Sequence, residues 1–129
     1  MADRIPDHFN RHRMKWLRHK SSFTDLPGSE IIHIMAADGS AFGEVYFRPD
    51  DKRRGYLASL SVAKSYRRGG LGTELQVLRE KMIKRRGYKI ALLWVLEKSW
   101  MRKWYERRGY KFHERHKRYK GCIWMKKIL

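Results

Sequence analysis

This sequence predicts a single α/β domain: a sheet of about six strands flanked by about three helices. Three observations carry that reading. Two β-rich runs, "EIIHIMAA" and "SAFGEVYF", flank Asp38-Gly39, a pair that tolerates the positive φ of a tight hairpin. Leu71, Leu75, Leu78 and Met82 recur at helical spacing. "YKIALLWVL" is nearly unbroken in apolar character, as expected of a central strand covered on both faces. At 129 residues the chain holds material for one core and not for two. Residues 1–29 are therefore read as a basic N-terminal helix and loop, and 30–129 as the core.

Taken in order, Pro6 to about Lys20 reads as the first helix. Pro6 suits its first turn, and Phe9, Trp16 and Leu17 fall near one face. "SSFTDLPGS" is a loop of turn formers, and the hairpin follows it. "RPDDKRRG" reads as a looser turn and "YLASLSVA" as the third strand. In the next helix the leucine stripe faces the core, with Arg79, Lys81, Arg85 and Arg86 placed largely off it; Gly87 stops the helix. After the apolar central strand, a last helix spans roughly Ser99 to Arg108 and ends at Gly109. "YKFHERHKRYK" alternates as a strand, and "GCIWMKKIL" closes the sheet.

Charge is the strongest feature of the composition: 31 Lys plus Arg against 13 Asp plus Glu, a formal net charge of +18. Such a field draws polyanions and anionic ligands. It is uneven, because Ser21 to Phe47 contains no Lys or Arg while Asp25, Glu30, Asp38 and Glu44 lie inside that window. No apolar run approaches the roughly 20 residues of a bilayer span, so a soluble protein without a membrane partner is expected. The N-terminal stretch has no apolar signal segment, and a cytoplasmic location is expected. Cys122 stands alone, which excludes an internal disulfide and reads as a buried strand residue. Six histidines show no metal constellation; His8 and His12 lie four apart on the first helix without a third ligand.

Arg-Arg-Gly occurs four times, at Arg53, Arg67, Arg85 and Arg107. Three copies continue with tyrosine and share no period. Two end helices, where arginines complement the dipole, and the copy at Arg53 reads as a hairpin turn. The fourth copy sits in "SYRRGGLGTEL", between a strand and a helix start. Glycines there let backbone approach a ligand, and amide N–H groups at a helix start favour phosphate. A P-loop would need a lysine after the glycines, and a Rossmann fingerprint would need a glycine at Leu75; neither is present.

Arg67, Gly70 and Gly72 match Arg/Gln-x-x-Gly-x-Gly/Ala, which resembles the acetyl-CoA pyrophosphate loop of the GNAT superfamily of N-acetyltransferases. "LASLSVAKSYRRGGLGTEL" looks like that family's strand–loop–helix, and "WYERRGY" is similar to its C-terminal Phe/Leu-Tyr-x-x-x-Gly-Phe signature. The resemblance covers roughly Tyr56 to Tyr110. It implies a mixed, mostly antiparallel sheet that splays between the "YLASLSVA" and "YKIALLWVL" strands, with acetyl-CoA wedged in the gap as co-substrate. By that analogy Arg67, Arg68, Gly69, Gly70, Leu71, Gly72 and Thr73 hold the pyrophosphate. Leu60 and Val62 line the acyl end, with the backbone around Val62 receiving the acetyl carbonyl. Tyr105 would protonate the departing thiolate, and a phenol with a pKa near 10 suits a thiol near 8.5. Lys98 and Ser99 stand where the family often has Asn. The strand that often carries a glutamate base offers Ser59 and Ser61, which leaves Glu44, or His33 through water, as the base.

The expected function is transfer of an acetyl group to a primary amine by direct attack. The alternative is a nucleic-acid-binding module on the same scaffold with little or no catalysis. Expected partners are acetyl-CoA, an amine acceptor, RNA, DNA or nucleoprotein through the basic surface, and a second copy of the chain. Arg102, Lys103, Arg107, Arg108, Lys111, Arg115, Lys117, Arg118 and Lys120 interleave with Trp100, Trp104, Tyr110 and Tyr119, a mix that suits phosphate contact with base stacking.

Overall fold

The structure, a computed structural model, describes residues 14–21, 28–36, 39–63 and 70–129. Seven strands and two helices alternate as β1 (Met14–Ser21), β2 (Ser29–Ala36), β3 (Ala41–Phe47), β4 (Arg54–Val62), α1 (Leu71–Arg85), β5 (Ile90–Leu96), α2 (Trp100–Glu106), β6 (Lys111–Arg115) and β7 (Cys122–Ile128). They form one sheet in the order β1-β2-β3-β4-β5-β7-β6. Every pairing is antiparallel except β4 with β5. The expected fold class holds: α/β, mixed and mostly antiparallel.

Residues expected to end the first helix are strand instead. Met14–Ser21 pairs antiparallel with β2 in unbroken register, Met14 opposite Ala36 and Ser21 opposite Ser29. The proposed first turn at Pro6, and the His8 and His12 pair, lie outside the described residues. A basic stretch with scattered aromatics satisfies either period. Here the free backbone edge of β2 decides, because it offers a full ladder of partners to an extended chain.

Strand alternation sets the core. Ile32, Ile34, Ala41, Val45, Phe47, Leu57, Ala91, Leu93, Ile123 and Met125 turn toward α1 and α2 and are nearly solvent-free. From α1, Leu71, Leu75, Leu78 and Met82 meet them, as the stripe predicts. Gly87 and Gly109, at φ +89° and +94°, stop the two helices as expected. The Arg53 copy is different: Arg54 and Gly55 already lie within β4 rather than in a turn. A Cβ on Gly55 would sit 2.4 Å from Ile83 Cγ1, so the glycine admits α1 against the strand.

The last two strands enter the sheet out of chain order. β7 lies between β5 and β6, so "GCIWMKKIL" fills an interior position and β6 takes the edge. Covering of β5 also departs from expectation. Its first half is enclosed on both faces, but Trp94 and Leu96, turned away from the helices, are exposed. Cys122 is buried within β7, as expected.

Candidate active site

Two neighbouring strands that run parallel part company after three residue pairs. Arg54, Gly55 and Tyr56 of β4 lie opposite Ile90, Ala91 and Leu92 of β5, and no pairing follows. The rest of β4, from Leu57 to Val62, and of β5, from Leu93 to Leu96, diverge. A bulge in β4 coincides with the separation: Phe42 faces Ser61 while Glu44 faces Ala58, so Ser59 and Leu60 oppose Gly43 alone. Ser59 adopts φ +53°, the left-handed region that side chains disfavour. The result is a V-shaped gap in the middle of the sheet. Leu60 and Val62 on the β4 wall pack partly against the core.

The first turn of α1 stands across the mouth of this gap. Gly70 caps the helix in the left-handed conformation, φ +82°, with no side-chain cap. A side chain at that position would be strained, and without a cap the N–H groups of Leu71, Gly72 and Thr73 keep no intrahelical acceptor. Gly72 lies between the end of β4 and α2: a Cβ there would be 3.6 Å from both Val62 Cγ2 and Trp104 Cζ2. Leu71 is buried and anchors the turn, while Thr73 is exposed. Arg67, Arg68 and Gly69 lie outside the described residues. Arg108 adds a cation at the same place. Its guanidinium stacks on the Trp104 ring, 3.5 Å from the centroid, and donates to Thr73 Oγ1 at 2.8 Å and to the Trp104 carbonyl at 2.9 Å. Burial, with the Arg107 charge beside it, pulls the Arg108 guanidinium below its ordinary value.

Tyr105 faces inward from α2 and is 4% exposed. Its hydroxyl accepts a 2.9 Å hydrogen bond from Arg79 Nη2. Arg79 is a fully buried cation, expected off the leucine stripe and found on it. It also donates to the Ala58 carbonyl at 3.1 Å, to the Glu44 carbonyl at 3.5 Å and to Gln76 Oε1. One guanidinium therefore ties the tyrosine to the β4 bulge. Behind it, Gln76 Nε2 donates to the Tyr110 hydroxyl at 2.8 Å, and that hydroxyl donates to Glu80 Oε2 at 2.7 Å. Lys127 Nζ closes the chain on Glu80 Oε1 at 3.0 Å. Burial, with the Glu80 charge and hydrogen bond, pushes the Tyr110 phenol far up and keeps it protonated.

Glu44 and His33 come together on the sheet face turned away from the helices. His33 Nδ1 and Glu44 Oε2 are 3.1 Å apart, with both side chains partly exposed. Glu44 is opposite Ala58, one strand from the gap. The two base candidates thus form a pair, while the tyrosine approaches from the helix side. Among the described residues no group of three or more His, Cys, Asp or Glu is placed to hold a metal. No helix among them is long and apolar enough to cross a membrane.

Arg79 and Gln76 were not singled out as site residues by the sequence reading, and Arg108 only among the C-terminal cations suited to nucleic-acid phosphates. For Arg79 a signal existed, since it is four residues after Leu75 and three before Met82. Nothing in the sequence tied Arg108 to the cradle, because its context is that of a helix C-terminus.

Comparison with known proteins is consistent with this geometry. The model of the acetyltransferase (GNAT) family matches residues 2–110. No curated protein matches the chain by sequence. Among solved structures, a GNAT family acetyltransferase from Elizabethkingia anophelis with acetyl-CoA bound superposes with a TM-score of 0.65 at 14% identity, covering 90% of this chain and 98% of that one. The PaiA N-acetyltransferase from Thermoplasma acidophilum, in complex with coenzyme A, gives 0.62 at 20% identity over 77% of this chain and 60% of its own. An acetyltransferase from Streptococcus agalactiae gives 0.61 at 16% identity, covering 78% and 67%.

Proposed function

Because the chain belongs to the GNAT acetyltransferase family, we propose that it moves an acetyl group from acetyl-CoA to a primary amine. The observation that carries this reading is the gap that opens after Tyr56 and Leu92, with an uncapped helix start across its mouth. Acetyl-CoA supplies the acyl group as a thioester and brings a diphosphate. The amides of Leu71, Gly72 and Thr73 receive that diphosphate, with Gly70 shaping the turn and Arg108 adding charge; Arg67, Arg68 and Gly69 extend the cradle by the family pattern. Each charge-assisted hydrogen bond contributes about 1.5–3 kcal/mol, so three or four suffice to anchor it. Leu60 and Val62 flank the acyl end.

Tyr105 donates its hydroxyl proton to the departing sulfur. Arg79 holds that hydroxyl and supplies a fixed positive charge beside the oxygen that becomes negative, with both side chains almost wholly buried. The incoming amine must lose a proton first. For a lysine side chain at pH 7 this costs roughly 4–5 kcal/mol, and for an α-amine only about 1. Glu44, in its pair with His33, is the acceptor for that proton. The basic surface favours an acceptor amine presented by RNA or a nucleoprotein.

The test is thiol release from acetyl-CoA with a panel of α-amines and lysine peptides. Tyr105→Phe is expected to lower kcat by about 100-fold or more while coenzyme A affinity, read by calorimetry, stays within about twofold. Full activity of Tyr105→Phe across pH would remove the tyrosine from the mechanism. Undiminished diphosphate binding after Gly70→Val would remove the cradle.

A further inference from the structure

The sheet face turned away from α1 carries a run of aromatic rings that acyl transfer does not use. It starts with Tyr46 stacked on Tyr56 at 4.9 Å and passes to Trp124 at 6.0 Å. It continues to His116, stacked on Trp124 at 5.2 Å, and ends with Trp94 and Tyr119, each within about 5 Å of His116 and 5.0 Å from each other. The far end of the run is open to solvent: Trp94 is 42% and Tyr119 44% exposed.

The turn that brings these rings together is held rigidly. His116 Nδ1 accepts from the backbone N–H of Arg118 and of Tyr119, both at 3.0 Å. The His116 N–H donates to the Cys122 carbonyl at 3.0 Å, and the Glu97 N–H donates to the Gly121 carbonyl at 2.9 Å. Little ordering is left for a ligand to impose. The turn is also basic: Arg115 to Lys120 reads Arg-His-Lys-Arg-Tyr-Lys without a carboxylate. Glu97 nearby engages Arg115 through both oxygens, at 2.9 and 3.2 Å. The Arg118 guanidinium lies 5.6 Å from the Tyr119 ring centre, and Lys117 and Lys120 are exposed beside it.

We propose that this end of the sheet is a binding platform for a single-stranded polynucleotide. Unpaired bases stack on Trp94 and Tyr119, and phosphates follow the cations of the turn. Acidic proteins and anionic membranes also engage cations and aromatics, but neighbouring ring faces beside a carboxylate-free turn match unpaired bases and phosphates together. A duplex hides the faces of its bases. The rings read base faces and the cations read phosphates, so ribose and deoxyribose strands are bound alike. This inference stands independently of acetyl transfer: Trp94 is on the β5 stretch that bounds the gap but faces away from α1, and none of the platform residues lies in the diphosphate cradle.

The experiment is fluorescence anisotropy of the full chain with labelled oligo(U) and oligo(dT) of about a dozen nucleotides. A duplex of the same length, heparin and phosphatidylserine vesicles are run as competitors. Both single strands are expected to bind with similar affinity, weakening steeply between about 50 and 200 mM salt, with the duplex a poorer competitor. Trp94→Ala and Tyr119→Ala each lower affinity about tenfold with the salt slope unchanged, whereas Trp94→Phe stays near wild type. Lys117→Gln with Lys120→Gln flattens the slope. Circular dichroism confirms folding, and the exposed positions tolerate these changes. No binding at low salt would overturn the proposal, as would wild-type affinity in the Trp94→Ala, Tyr119→Ala double variant. Competition by duplex, heparin or vesicles as strong as that of single strands would do the same.

Discussion

Arg79 keeps a full charge with none of its surface in water, which is tolerable only because carbonyls, an amide oxygen and a phenol surround it. Removing it strands all of those acceptors. Arg79→Met is therefore expected to lose about 3–5 kcal/mol of stability in urea denaturation. Arg79→Lys retains the charge but not the forked reach, so it recovers only part of that stability. At a temperature where Arg79→Lys remains folded, its kcat is expected to fall while KM for acetyl-CoA stays within about twofold. A purely structural arginine would leave kcat untouched in the folded fraction.

Tyr56 makes a second prediction at this scale. Burial, then its 2.8 Å hydrogen bond to Asp51, raises its phenol to about 12. A folded value above the unfolded value near 10 means the folded state binds the proton more tightly. The stability this contributes is complete below pH 10 and is lost as pH rises toward about 12. Titration of tyrosinate absorbance should show this late phase in the wild type and lack it in Tyr56→Phe.

Among the elements, β4 is the most constrained. Its start must admit α1, its middle must bulge, and its end must leave β5. Gly55→Ala places a carbon against Ile83, which is fully buried and has no room to yield. We expect a loss of about 1–3 kcal/mol, relieved in part when Ile83→Ala is added; a double-mutant cycle on thermal midpoints measures the coupling. Additive effects would show that the two do not meet. Local pattern made much of this level legible. Two β-rich runs around Asp38-Gly39 marked β2 and β3, leucine spacing marked α1, and the two helix-ending glycines were placed from sequence. Failures came where a distant partner decided the outcome. The edge of β2 captures residues 14–21 as strand, and the pressure of Ile83 on Gly55 makes that glycine a packing site rather than a turn. Likewise, Arg79 is buried because the β4 bulge presents carbonyls to it, a requirement that appears only once β3, β4 and α1 are assembled.

For the molecule as a whole, one sheet carries two sets of chemistry. The helix side holds Tyr105 and the diphosphate cradle, while the far side holds both the Glu44–His33 pair and the ring run, whose exposed end at Trp94 and Tyr119 lies at least two strands from Glu44. A variant lacking Tyr119 should therefore keep its acetyl-CoA turnover with a small free amine, measured by thiol release; a loss there would show that the two faces are coupled. The placement of β7 has a further consequence, for biosynthesis. The strand that plugs the space between β5 and β6 is translated after both. Until it leaves the ribosome, β5 touches the rest of the sheet through three residue pairs alone. A nascent chain halted before Cys122 can assemble its first four strands and α1, but the Tyr105–Tyr110 half must wait, exposed to chaperones and proteases, for the final stretch to slide in.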